Sequence, residues 1–199
     1  MGPQIDYDAM DDLNTAEPEE IISFALGAVR EAQADKLAAL DALPTPVYAT
    51  DSQGRITYYN RACVAFSGRQ PVTGVDRWCV TWKLYTPDGA ELPHERGPMA
   101  VAIQEARPIR GSEAIAERPD GSQVHFVPYP TPIHDRAGAL VGAVNMLVDV
   151  AEARHVRHLR SQAERCRRLA RSIDDRTTRE RLNAMAAIYE ERASELVAA

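Results

Sequence analysis

Apolar positions along this chain follow three different rhythms. From about Glu17 they recur at helical spacing, with Ile22, Ala25, Leu26 and Val29 on one face and Leu37 and Leu40 continuing the surface until Pro44 and Pro46 end it. The period then shortens. Val47-Tyr48-Ala49 and Arg55 to Tyr59 read as strands joined by the turn Thr50-Asp51-Ser52-Gln53-Gly54. Asn60 is placed to cap a short helix that Gly68 ends, and a second helix is predicted from Gly97 to Ala106. Three further strands are predicted over Gly111 to Arg118, Gln123 to Thr131 and Leu140 to Val148, with links short enough to make them antiparallel neighbours. Prolines at 128, 130 and 132 remove donors on one side of the middle strand, so its ladder is expected to weaken or end there.

Past Val150 the helical period returns. Val156, Leu159, Ala163, Cys166, Ala170 and Ile173 are spaced 3-4-3-4-3, the seam of a coiled coil or helical hairpin. Asp174-Asp175-Arg176 breaks it, and Thr177 with Glu180 reads as a capping box opening a helix striped by Leu182, Met185, Tyr189 and Leu196. The pattern therefore predicts an α+β protein. It has a loose segment over 1–16, an amphipathic helix over 17–42, a five-stranded antiparallel sheet with intervening helices over 43–150, and a helical hairpin over 151–199.

Composition adds limits. The chain has 199 residues, 45% hydrophobic and 26% charged, the make-up of one good core with accessory helices. No apolar run reaches the roughly 18 residues of a membrane span, so a cytoplasmic location and no membrane partner are expected. Cys63, Cys79 and Cys166 are odd in number and far apart, which argues for reduced thiols and against a zinc site. The net charge of -6 is unevenly spread: residues 1–42 carry 2 basic and 10 acidic side chains, residues 151–199 carry 11 and 8.

The order Leu43 to Ile56, Tyr59-Asn60-Arg61-Ala62, Trp82 to Gly89 with Leu92-Pro93-His94, Met99 to Ala102, and Gly142 to Val150 resembles the PAS domain family, above all the modules at the front of proteobacterial sensor histidine kinases. The resemblance covers about 108 residues. It implies an interior between sheet and helices lined by Trp78, Trp82, Tyr85, Met99, Ile103, Phe126, Asn145 and Leu147, which holds a small molecule or is filled by its own side chains. It also implies a relay at Asp149-Val150, where the family often has Asp-Ile/Val-Thr; here Ala151 replaces the threonine. Ile22, Leu26, Val29, Val156, Leu159, Cys166 and Ile173 are the expected helix-packing or dimer-forming positions. The cofactor is left open between none, a small molecule and haem. For haem the one candidate is His94, which stands before the helix where relatives carry their ligand. The cysteines lack the surroundings of photoreactive relatives and read as small buried hydrophobes.

The 49 residues after Val150 are too few for a kinase, and His155 and His158 lack an acceptor pattern, so the expectation is a stand-alone module. No nucleophile, base and orienter can be grouped, so no enzyme is expected. Arginines at 154, 157, 160, 165, 167, 168 and 171 could meet phosphates. The interspersed acids and missing aromatics favour a solvated or protein-facing surface, and no nucleic-acid partner is expected. The reading is a sensor or relay that dimerises and signals to a separate kinase or regulator; the alternatives are a ligand-free adaptor and a haem-based redox or gas sensor.

Overall fold

A computed structural model describes residues 18–31, 34–173 and 175–198, with the side chains of 151–157 and 195–198 outside the description. Its centre is one long strand. β7 (Leu140–Asp149) pairs along one edge with β1 (Val47–Asp51), and β1 pairs in turn with β2 (Ile56–Tyr59). Along the other edge of β7 lie two strands in succession, β6 (Thr131–His134) and β5 (Gln123–Pro128), and β5 continues the sheet through β4 (Ala114–Glu117) to β3 (Lys83–Tyr85). Every pairing is antiparallel, in the order β2-β1-β7-β5-β4-β3.

The α+β antiparallel reading holds, with two additions to the strand count. The stretch expected as one strand from Gln123 to Thr131 is divided at Pro128, and a new strand starts at Thr131. Pro128 and Pro130 have no N–H to give on the side away from β7, and there the pairing with β4 stops at Phe126, while the register with β7 carries on from Pro128–Leu147 to Thr131–Val144. Tyr129, between the two, gives its N–H to Met146 O at 2.9 Å and Asn145 Oδ1 at 2.9 Å. β3 was not expected as a strand: three residues beside a Pro-Asp-Gly turn carry too little periodicity to be seen.

Alternation sorts the side chains into two cores. Tyr48 on β1 and Ala143, Asn145 and Leu147 on β7 face inward, where α3 (Arg61–Ser67) and α4 (Pro98–Gln104) cover them with Cys63, Phe66, Met99 and Ile103. Val47, Ala49, Val144 and Met146 face outward. There Ile21, Ile22, Ala25 and Ala28 of α1 (Pro18–Glu31) and Leu40 of α2 (Ala34–Ala42) bury them. The single helix expected over 17–42 is thus two helices, with residues 32 and 33 between them outside the description. Ile22 is 2% exposed, and Leu26 and Val29 pack against the same cluster. All three positions expected to pack or dimerise do pack on this chain's own sheet. The loose segment expected over 1–16 lies outside the described residues.

Asn60 caps α3 as expected, accepting from Cys63 N–H, and Gly68 ends it at φ 64°. A one-turn 3-10 helix, His94–Arg96, leads into α4.

The chain divides into two units, 1–150 and 151–199. α5 (Val150–Ser172) and α6 (Arg176–Ala198) form the second as a hairpin. Leu159, Ala163, Cys166 and Ala170 are buried, and they face Ala186 and Ala193 with Leu182 and Tyr189 half buried beside them. Small residues at these positions let the helices approach closely. Ile173 is half buried just past α5, and Val156 lies outside the residues whose side chains are described. Two expectations for α6 are corrected. Met185 is 45% exposed, because Ala186, one step round the helix, takes the inward position. Asp175 rather than Thr177 caps the helix, its Oδ2 accepting Thr178 N–H at 2.8 Å, while Glu180 pairs with Arg176 instead of reaching back.

Candidate functional site: a buried polar chain on the inner sheet face

Tyr48 and Asn145 are register partners on β1 and β7, so their side chains emerge together on the inner face. Both are buried. Asn145 Nδ2 donates to Tyr48 Oη at 3.0 Å, Tyr48 Oη donates to Trp78 O at 2.9 Å, and Asn145 Oδ1 takes Tyr129 N–H. The β7 residue is therefore tied to β1, to the β5–β6 bend and to the loop before β3. Burial, with the neighbouring Cys79 thiol adding to it, pushes the Tyr48 phenol well above its ordinary range, while Asn145 acts the other way. At neutral pH Tyr48 is a neutral donor.

From Trp78 the polar chain runs outward. Thr81, 1% exposed, donates its hydroxyl to Cys79 Sγ at 3.2 Å and lies 3.4 Å from His94 Nε2. A hydroxyl has one proton, so with Cys79 as its acceptor Thr81 is left to receive Nε2–H from His94. Burial lowers the His94 pKa from its ordinary value. The single haem candidate of the sequence thus engages its Nε2 in this chain, and a haem iron at that nitrogen would displace Thr81. No group of three metal-ligating side chains occurs among the described residues.

Of the expected lining, Met99, Ile103, Phe126, Asn145 and Leu147 converge on the inner face, with Trp78 half buried at its edge. Two residues do not. Trp82 is 54% exposed in the bend before β3, and Tyr85 points away from the core toward Glu117 because its neighbour Leu84 takes the inward position of β3. The interior gains residues that sequence reasoning missed: Tyr48, Leu84, Cys79, and Phe66, whose ring meets Phe126 edge-on at 5.4 Å. Alternation along β1 carried the signal for Tyr48. Thr50 also lies on this face, 3% exposed, with its hydroxyl lacking a hydrogen-bond partner among the described residues.

Trp78 takes an unusual backbone, φ 68°, that turns its ring onto Gly54. A Cβ at Gly54 would stand 2.2 Å from that ring, and Trp78 N–H bonds Gly54 O at 2.7 Å. The turn glycine seen in the sequence is thus also the seat of the tryptophan. Cys63 is fully buried, donates to Val47 O, and has its thiol pKa pushed up by burial. Such a thiol is a poor nucleophile.

Two clasps fasten α1 and α2 to the sheet. Asn60 Oδ1 accepts Val47 N–H, and Nδ2 donates to Leu40 O and Thr45 O at 2.9 Å each. Arg110 grips both Glu19 oxygens at 2.7 and 3.0 Å, donates to Pro130 O and Thr131 Oγ1, and lies 5.4 Å over the Tyr129 ring. Asp149 is half buried and Val150 buried where β7 gives way to α5.

A family model described as PAS fold matches residues 40–155. Among solved structures, the PAS domain of the fruit-fly ELK potassium channel is 16% identical, with 57% of this chain and 92% of that one covered at a TM-score of 0.46. The LOV domain of the Erythrobacter litoralis EL346 blue-light activated histidine kinase is 20% identical, covering 54% and 97% at 0.43. The PAS domain of Bordetella pertussis BvgS is 18% identical, covering 57% and 80% at 0.36. No protein of curated function matches.

Proposed function

The family match spans more than half of the chain, so this protein belongs to the PAS-fold family, and from that premise we propose that it is a signal-sensing relay acting on a separate signalling protein, such as a histidine kinase or regulator. The observation that carries this reading is the position of Asn145. It is buried in the polar chain of the inner face, and it stands on the same strand, β7, that gives way at Val150 to α5. A molecule that enters the inner face and competes for Tyr48 or Asn145 shifts β7, and the shift passes through Asp149 and Val150 to the hairpin. Only differential affinity for the two states can drive such a change. Thr50, Tyr48 and Asn145 supply the few convergent polar groups that an apolar binding site needs.

A homodimer is part of the proposal. Phe24, Leu26 and Val29 of α1 stay half buried in one chain, and a second copy would cover them. An unchanged monomer in light scattering of the purified chain would contradict this part. The reading includes no catalysis: the polar chain centres on a neutral phenol and a neutral amide.

A second reading, a ligand-free adaptor, is favoured by one observation: Phe66, Phe126, Met99, Ile103 and Leu147 are all buried against one another on the inner face. Native mass spectrometry with an absorbance spectrum separates the two. A retained small molecule, lost on Asn145→Leu, is expected of the sensor. A bare mass and featureless spectrum that persist after exposure to a metabolite library support the adaptor.

A further inference from the structure

The two broad faces of the C-terminal hairpin have opposite chemistry. Successive residues of an α-helix are rotated by about 100°, so residues just before and just after a buried position fall on opposite flanks. Arg167 follows buried Cys166, Glu190 follows half-buried Tyr189, and these two pair across the hairpin, which marks one face. Leu169 and Arg165 lie on the other flank of α5. Met185, Ile188, Arg181 and Arg192 lie on the corresponding flank of α6. These six therefore share the second face.

On that face Leu169, Met185 and Ile188 are 45%, 45% and 49% exposed, and the three arginines are exposed around them. None of the three arginines forms an ion pair among the described residues. The described carboxylates are elsewhere. Glu164, Glu180 and Glu190 fall on the first face with Arg168, Arg176 and Arg167 as partners, Glu191 falls at the back of α6, and Asp175 caps α6. One face is a mixed-charge solvated surface; the other is an apolar strip among cations that no described carboxylate pairs.

We propose that this second face docks an acidic amphipathic helix of a partner protein. The inference rests on the relay reading and names the chemistry of its partner. The apolar strip supplies anchor contacts for a helix laid along it, and the guanidiniums favour carboxylates on the incoming helix flanks. A second copy of the same face is disfavoured, since two such faces meeting would bring six guanidiniums together with no described carboxylate between them. Nucleic acid would use the cations and leave the strip exposed.

The test uses the full chain and a fluorescein-labelled designed peptide of about 18 residues, five helical turns, with leucine on one face and glutamate on the rest. Anisotropy should show saturable binding that weakens as salt rises. The triple variant Arg165→Glu/Arg181→Glu/Arg192→Glu should weaken it by about tenfold or more, as three exposed charge pairs would. Met185→Gln/Ile188→Gln should also weaken it, and Arg171→Glu on the first face should leave it unchanged. Circular dichroism checks that each variant stays helical, and Arg→Gln versions serve if the charge reversals do not. Absence of saturable binding, equal affinity across the variants, or preference for phosphatidylserine vesicles or duplex DNA over the peptide would overturn the proposal. The assay reads the tail alone. Peptide binding without any core-to-tail coupling would sink the relay reading and leave the docking face standing.

Discussion

Asn60 shows how much one side chain can hold. Its capping role was legible, because an asparagine before a short apolar helix is a local pattern. Its second role was not, since Leu40 and Thr45 are reached only after the chain folds back. Replacing it with alanine leaves the buried Val47 N–H without its acceptor and takes a donor from the Leu40 and Thr45 carbonyls, and a loss of about 3 kcal/mol is expected from the cost of buried unsatisfied groups. Urea denaturation reads this directly; a loss under 1 kcal/mol would mean that water replaces the amide. Gly142 is a second case. A Cβ there would stand 2.0 Å from Thr50 O, so Gly142→Ala must part β1 from β7 and should lower the denaturation midpoint. Trp82 marks the limit of residue-level reading. Two tryptophans four residues apart look alike in sequence, and only the turn at Trp78, which seats that ring on Gly54, and the bend before β3, which leaves Trp82 in water, tell them apart.

At the level of elements, two joints carry pH dependence of stated sign. The folded-state pKa of His94 is depressed by burial, so the unfolded chain binds the proton more readily. Stability should therefore fall as pH drops below about 6.5, the ordinary histidine value, and His94→Gln should flatten that slope. Stability independent of pH from 7 to 5 would contradict the buried Thr81 contact. For Glu19 the shift is also downward, from its hydrogen bond to Arg110, and here the charged form is the one favoured on folding. Its contribution is present above the usual carboxylate range and is lost as pH falls through and below it. Glu19→Gln should remove that acid-limb contribution, read as a smaller difference between denaturation midpoints at pH 7 and pH 3. Element types were largely visible in advance because alternation and helical period are written into the residues. The clasp of Arg110 on Glu19 was invisible, since nothing local joins positions 91 residues apart. The division of the strand at Pro128 was foreseeable from its prolines, and the capping of α6 by Asp175 was misread because Thr177 and Glu180 fit an equally good local pattern.

For the whole molecule, the proposed relay is mechanical: the state of the Tyr48–Asn145 pair on the inner face would set the state of the helix that follows β7. The sequence conveyed the layout of sheet, flanking helices and hairpin, because each element has its own periodicity. It could not convey which polar groups meet inside, since that depends on register between β1 and β7. The most direct test is amide hydrogen exchange of the full chain, comparing the wild type with Tyr48→Phe, which removes the hydroxyl shared by Asn145 and Trp78 O while keeping the ring. Faster exchange in β7 together with altered exchange in α5 over residues 151–172 is expected. Faster exchange confined to residues 43–149, with the hairpin unchanged, would contradict it.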